Sequence, residues 1–466
     1  MMLCMLVLEG IVFGQQAPSA PNHPWDASSA KQQLPPPPRI LPPVAIDASK
    51  VYTLAELVNI AEQNNPETRV AWESAKAKAA DLGISKATLY PTLAAAVVAS
   101  SLQADLFFGN SFQRQTIESY SPVFVLDYII FDAGRSEQIS ASKSRLLGAN
   151  FQFNDTHRQI IFQVMQAYYK FLDTKGREDA ARANLNDAQA VQQAAEARLQ
   201  SGLATLPDVL QTRSAAAQAD YDLQAAIGAT EIAHGDLAVS IGIYPTTQFQ
   251  VQNLQDIKLP DSIADTVETS IDKALSQRPD LMQRIAELRA AGAEDSAARR
   301  TYFPTIRLGG NVGIARSYGV QINLPPVYSP TETTWAAALS LHWTLFDGLA
   351  RENRIARARA DQKQAAAAVE SIRNQIENQV WSAYSTARTA LRQQKAATAL
   401  LLTATDSYNS AVESYHHGLR NQIDVITAQR ALADARSADI NARTQLLTTM
   451  ATLAYQTGDL LYVKIP

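Results

Sequence analysis

The sequence predicts a mainly α protein with a small β portion, built from a duplicated helix–strand–strand–helix unit. Three features carry that reading. Landmarks recur in one order about 215 residues apart, two proline-free stretches of about 65 residues have helical character, and each is preceded by segments that alternate like strands. The chain has 466 residues, 46% of them hydrophobic and 18% charged, with a formal charge of −4. This mild acidity gives no electrostatic reason to expect nucleic acid as a partner, since phosphate binding needs clustered Lys and Arg. Past the opening segment no stretch reaches the ~20 apolar residues of a membrane-spanning helix, but alternating barrel strands would leave such averages untouched. The single cysteine, Cys4, excludes a disulfide framework and a cysteine-based metal site.

Residues 1–14 read as a secretory signal with cleavage before Gln15, although Glu9 is present and the usual basic start is not. Residues 15–50, with Pro35 to Pro38 consecutive, read as an extended linker. The first repeat is expected over 51–245, an inter-repeat linker over 246–260, the second repeat over 261–459 and a tail over 460–466. Asn65-Pro66 matches Arg278-Pro279 (279 − 66 = 213), and Tyr90-Pro91 matches Phe303-Pro304 at the same offset. Phe131-Asp132 matches Phe346-Asp347 (346 − 131 = 215). Gly202, Asp208-Val209 and Gly242 match Gly418, Asp424-Val425 and Gly458 (424 − 208 = 216).

In each unit a short helix (Leu54 to Gln63; Val267 to Leu275) ends at a residue before proline, which is pushed out of the α region. A second helix (Glu67 to Leu89; Asp280 to Tyr302) ends at an aromatic-Pro pair. Two strands follow around a polar loop, expected at 91–103 and 121–131, then at 304–316 and 334–346. Next come long helices, Ser136 to Gln200 and Arg351 to His417, each about 100 Å at ~1.5 Å per residue. Ile139, Leu146, Phe153 and Ile160 repeat by seven, and their counterparts are Ile355, Gln362, Val369 and Ile376, the pattern of packed coiled helices. Gly202 and Gly418 stand where helices take a C-terminal glycine, and final helices run to Gly242 and Gly458.

The segment Trp335 to Phe346 alternates strictly. Trp335, Ala337, Leu339, Leu341, Trp343 and Leu345 form one face, against Ala336, Ala338, Ser340, His342, Thr344 and Phe346. The two tryptophans lie ~26 Å apart along a strand, the height of an apolar barrel band with aromatic girdles. Phe124, Leu126, Tyr128 and Ile130 fall on the matching face of the first unit, with Val125 and Asp127 turned the other way. Four strands leave two open edges, and three chains would supply an even count able to close.

The segments PETRVAWESAKAKAADLGISKATLYPTL, RPDLMQRIAELRAAGAEDSAARRTYFPTI, FDAGR, FDGLAR, SGLATLPDVL and HHGLRNQIDVITAQRAL, in duplicated order, resemble the TolC-like outer-membrane efflux proteins over almost all of 51–459. The resemblance implies a homotrimer with a twelve-stranded β-barrel in the outer membrane over a long α-helical barrel crossing the periplasm. It would be the passive exit duct of a tripartite efflux or type I secretion system, partnered by a periplasmic adaptor and an inner-membrane transporter. It further implies a gate at the periplasmic tip, where Tyr415 and Arg420 near the second helical turn bond Asp208 of the first, and an aperture ring of Asp424. Pro207 and Thr427 depart from the family pattern. Trp335, Trp343 and Tyr128 would form the lipid-facing aromatic girdle.

The chemistry of these residues fits those roles. Converging carboxylates attract cations, and a charge-assisted Arg–Asp bond can serve as a releasable latch. Asp208 could equally be a helix-capping residue, and Arg420 a solvated one. No phosphate-binding loop, dinucleotide fingerprint, metalloprotease motif or cysteine pair occurs, so neither enzyme activity nor a cofactor is expected. His416-His417 is the one histidine pair, and adjacent residues do not share a helix face. The alternative reading is a periplasmic or soluble coiled-coil scaffold, which leaves the Trp335/Trp343 strand unexplained.

Overall fold

A computed structural model describes residues 46–108, 110–321, 327–328 and 331–461. The expected signal segment and most of the proline-rich linker lie outside these residues.

Strand β1 (Val51–Tyr52) leads into helix α1 (Leu54–Asn64), which starts with a capping box in which Thr53 and Glu56 exchange hydrogen bonds. Asn65 is extended and accepts the Glu67 amide, and helix α2 (Pro66–Ala87) starts with proline in its first turn, where the missing N–H costs nothing. Strands β2 (Thr92–Phe108) and β3 (Ser111–Phe131) form a hairpin, followed by helix α3 (Arg135–Gln200, 66 residues) and helix α4 (Leu206–Ser240). Strand β4 (Gln250–Val251) pairs parallel to β1. The second unit repeats the order as α5 (Val267–Gln277), α6 (Pro279–Arg300), β5 (Thr305–Gln321), β6 (Val327–Tyr328), β7 (Glu332–His342), α7 (Ala350–His416, 67 residues) and α8 (Gln422–Thr457).

The sheet runs β2-β3-β5 and then β7, all antiparallel, with β6 continuing the pairing on the β7 side of β5. Its two hairpins share one register. Thr92 faces Asp127 in the first, and Thr305 faces His342 in the second (305 − 92 = 213; 342 − 127 = 215). The strands differ in length from expectation. β2 and β3 run on through the stretch read as a polar loop, because polar residues pair across the ladder there. Ser100 meets Ser119 at 2.7 Å, and Arg114 meets Asp105 at 3.1 Å. β7 stops before the expected Phe346. The Trp343 indole instead donates to the Tyr302 carbonyl at 3.0 Å, and the chain turns through Gly348 and Leu349, both at positive φ.

Each sheet-to-helix corner is stapled by the arginine of its FDAGR or FDGLAR segment. Arg135 donates to the carbonyls of Ile129, Ile130 and Thr88. Arg351 donates to the Leu345 carbonyl, pairs with Asp347 at 3.3 Å and stacks on Tyr302. Of the carbonyls held this way, those of Ile130 at the β-bulge and Leu345 beyond β7 lie outside the ladder pairing, and that of Thr88 closes helix α2.

The main apolar core lies midway along the long helices, where Leu57, Ile160, Val164, Tyr168, Leu237 and Ile241 are buried. A smaller core repeats it in the second unit around Ala274, Leu281, Ile376 and Val380. Between them sits a buried ionic cluster. Arg158 bonds Asp155 and the Tyr455 carbonyl, stacks on the Tyr455 ring, and lies 3.7 Å from Asp280. Arg278 holds Asp280 through two hydrogen bonds and reaches the side-chain oxygens of Gln379 and Gln456. Every guanidinium N–H placed this way is one fewer unpaired donor in a dry interior.

Candidate functional site

Both long helices reach one end of the molecule and stop in the same way. At the α3 end, the Gly202 amide bonds the Leu199 carbonyl and the Leu203 amide bonds the Arg198 carbonyl, with Gly202 at φ 72. At the α7 end, Gly418 bonds the Tyr415 carbonyl and Leu419 bonds Ser414, with Gly418 at φ 73. These are the paired bonds of a Schellman ending, which requires a left-handed residue that glycine adopts without strain. After each glycine a new helix begins with a side chain closing its first turn, Asp208 accepting from Thr205 for α4 and Asn421 accepting the Asp424 amide for α8. Leucine or isoleucine is left in solvent at both turns: Leu203, Leu206, Leu419 and Ile423 are all exposed.

The two aspartates occupy the same position, third in their helices, but differ in use. Asp208 Oδ2 accepts both the Thr205 amide (2.9 Å) and the Thr205 hydroxyl (2.7 Å). Those two bonds hold its carboxyl below its ordinary value. Its capping role is therefore real. Oδ1 accepts nothing among the described residues, so capping leaves one oxygen for a second donor. The Asp424 amide donates to Asn421 at 2.9 Å, and among the described residues no hydrogen bond or ion pair ends on its half-buried carboxylate.

Tyr415 is buried against Val191 and Val425. Burial raises its hydroxyl pKa, Arg198 lowers it, and the nearby Asp208 raises it further. Arg420 is exposed, and among the described residues no bond joins it or the Tyr415 hydroxyl to Asp208 within a single chain. The His417 ring is 2.9 Å from Glu413 and exposed, and no cluster able to hold a metal occurs among the described residues.

Sequence reasoning missed Arg198. Its guanidinium stacks on the Tyr415 ring 4.4 Å from the centroid and donates to the Tyr415 carbonyl at 2.9 Å. The available signal was a cation in the last turn before Gly202, where it meets the negative end of a helix.

At the other end the sheet is two-faced across all four strands. Paired residues share a face, so Ala95, Phe124, Val312 and Trp335 form one row, and Leu308 lies between Tyr128 and Leu339. Over these rows the face is apolar and uncovered, with Trp335 77% and Leu339 68% exposed. The opposite face carries Thr92, Val125, Asn311, Ala336 and Ser340 around an Asp127–Arg307 ion pair at 3.2 Å. Among the described residues β2 and β7 each have one unpaired edge. The sheet therefore has one face suited to apolar surroundings and one suited to water.

Comparison with known proteins agrees. The family model described as outer membrane efflux protein matches residues 57–242 and 270–459. Protein CyaE of Bordetella pertussis is 26% identical over 427 residues, covering 90% of this chain and 86% of that protein. Outer membrane protein OprJ of Pseudomonas aeruginosa is 24% identical over 84% of this chain and 81% of its own length. Among solved structures, the CmeC outer membrane channel of Campylobacter jejuni superposes with a TM-score of 0.72 at 19% identity, covering 87% of this chain and 85% of that one.

Proposed function

The chain belongs to the outer membrane efflux protein family, as an outer-membrane channel extending into the periplasm, and from that premise we propose that three copies close one passive, non-catalytic duct. The observation that carries this reading is the internal repeat applied to the open edges. Within one chain, β3 of the first unit pairs with β5 of the second. The equivalent step onward is β7 of one copy pairing with β2 of the next. Leu126 faces Gly310, so the offsets of 215 and 213 bring Leu341 opposite Val97 of the neighbour (126 + 215 = 341; 310 − 213 = 97).

The helices support the same closure. α6 buries Leu281, Ala286, Ala290, Ala293 and Ala297 between α3 and α7, whereas its counterpart α2 buries nothing. The missing cover for α2 is α7 of the neighbouring copy. Three such contacts return the chain to its start and leave no sheet edge free.

In this duct the units span 51–245 and 261–459, and the face bearing Tyr128, Trp335 and Trp343 meets lipid. Closure at the periplasmic tip uses the free oxygen of Asp208, with Arg420 and Tyr415 as its donors, and three Asp424 carboxylates ring the aperture. The exposed Leu203, Leu206, Leu419 and Ile423 form an apolar collar for a periplasmic adaptor, which connects the duct to an inner-membrane transporter that supplies the energy. Val97→Cys with Leu341→Cys tests the closure. Oxidation should produce a covalent trimer in outer-membrane fractions, because these edges lie on opposite sides of one chain's sheet. Monomers alone after oxidation would refute the register and the assembly built on it.

A further inference from the structure

We propose that Arg198 is a positioning residue of the tip, one that holds the closed state by clamping the α7 end to the α3 end and thereby aiming the Tyr415 hydroxyl at Asp208. This rests on the gate reading above and assigns it a component outside the latch residues themselves.

α3 and α7 run in the same direction and both end at the tip, in matching glycine turns. Their C-terminal ends, each carrying roughly −0.5 charge, come within the reach of one side chain there. Arg198 is the cation between them. It sits in the last turn of α3, and its Nη1 donates to the Tyr415 carbonyl in the last turn of α7. Its plane also covers the Tyr415 ring, so the same side chain fixes where that ring points. The position is unique in each copy, because the residue 216 further on is Ser414.

The surroundings make this contact the one that can open. α3 and α4 are joined by an Arg213–Glu196 pair at 2.9 Å, so their tip moves as one hairpin. The next polar tie between the two hairpins is Arg436, bonded to Asn184 and Asp187. Asp187 is 11 residues before Arg198, ~16 Å higher along α3. Below that level the hairpins meet through Tyr415 with Val191 and Val425, and through Arg198. The Nε of Arg198 is buried with no partner among the described residues, so the clamp is incompletely satisfied as it stands. Among the described residues this guanidinium is the polar tie that a partner engaging the tip would have to draw away, beside the Tyr415–Val191 contact, for the C-termini to separate.

Purified full-length channels in planar bilayers test the proposal, with Arg198→Met, Arg198→Lys, Tyr415→Phe, Arg420→Ser and the Arg198→Met/Tyr415→Phe pair. Arg198→Met should raise the open-to-closed ratio by about tenfold or more, as expected for losing one charge-assisted bond. Arg198→Lys, which keeps the charge and one donor, should fall between wild type and Met. The pair should open no more than Arg198→Met alone, because Tyr415 is already misdirected. Fewer inserted channels with wild-type conductance would mean a purely structural arginine and overturn the proposal. An unchanged Arg198→Met beside a leaky Tyr415→Phe would overturn it while leaving the gate in place. No change in any variant, Arg420→Ser included, would remove the gate from this tip and the proposal with it.

Discussion

Leu339→Arg is expected to cripple insertion of the channel, while Ala338→Arg, one residue away, is tolerated. Leu339 lies four residues from both Trp335 and Trp343, so it sits at the middle of a band ~26 Å tall. Its neighbour across the ladder is Leu308, on the apolar face, and it is 68% exposed in the single chain. A charge on the lipid side at that depth costs ~2–4 kcal/mol. With the three copies per barrel proposed above, that becomes roughly 6–12 kcal/mol per trimer, about a 10⁴-fold or greater loss of the folded state. Ala338 points the other way, opposite Gly309, where an added Cβ would meet no atom within 4 Å. An arginine there enters water beside the Asp127–Arg307 pair, at a cost of about 1 kcal/mol or less. The assay is denaturant-dependent refolding into lipid vesicles, followed by tryptophan fluorescence and by heat-dependent gel mobility. Equal costs for the two variants, or a larger one for Ala338→Arg, would refute the assignment of faces.

Other expectations follow from the tip and the middle of the molecule. Asp424→Asn should lower cation preference and weaken block by multivalent cations in bilayers, whereas unchanged selectivity would remove Asp424 from the aperture. Asp280 is buried, which raises its carboxyl, but the bonds and charge of Arg278 with the charge of Arg158 more than reverse this and leave it lowered. A lowered carboxyl contributes stability above its unfolded value near ~3.9 and loses it as pH falls through the folded one. Thermal stability should thus drop below about pH 4 in the wild type, and Asp280→Asn should be less stable at pH 7 with a flatter acid limb. Gly202→Ala and Gly418→Ala should each cost about 1–2 kcal/mol in thermal denaturation, from backbone strain alone, since no atom lies within 4 Å of the added carbon. Gly242→Ala should cost more, because its Cβ would also lie 2.8 Å from that of Asn64.

Several features of the site could be read from residue order because they are local. The left-handed glycines at 202 and 418 follow from their place after long periodic runs, and the two faces of β7 from alternation alone. The long helices needed only the absence of proline and a repeating apolar position. The strand ends were misjudged for an equally local reason. Asp105, Arg114 and Thr116 look like loop residues in sequence, and only their pairing across the hairpin makes them strand. The capping use of Asp208 was an open alternative in the sequence. Knowing that it occupies only Oδ2, and so does not compete with a latch, required atomic positions.

The sequence by itself determined the duplication, the lengths of the helices and the apolar faces of β3 and β7, because periodicity and a repeat offset are properties of order along the chain; the alanine-rich β2 carried no such signal. Tertiary structure alone decided which distant groups meet. Arg198 finds the Tyr415 carbonyl across 217 residues, and Arg158 finds the Tyr455 carbonyl across 297. Such pairs leave no local pattern, since an exposed arginine and a clamping one are written with the same letter. Only the packing of two hairpins side by side puts a guanidinium at a neighbouring helix end and excludes the water that would otherwise weaken its bond.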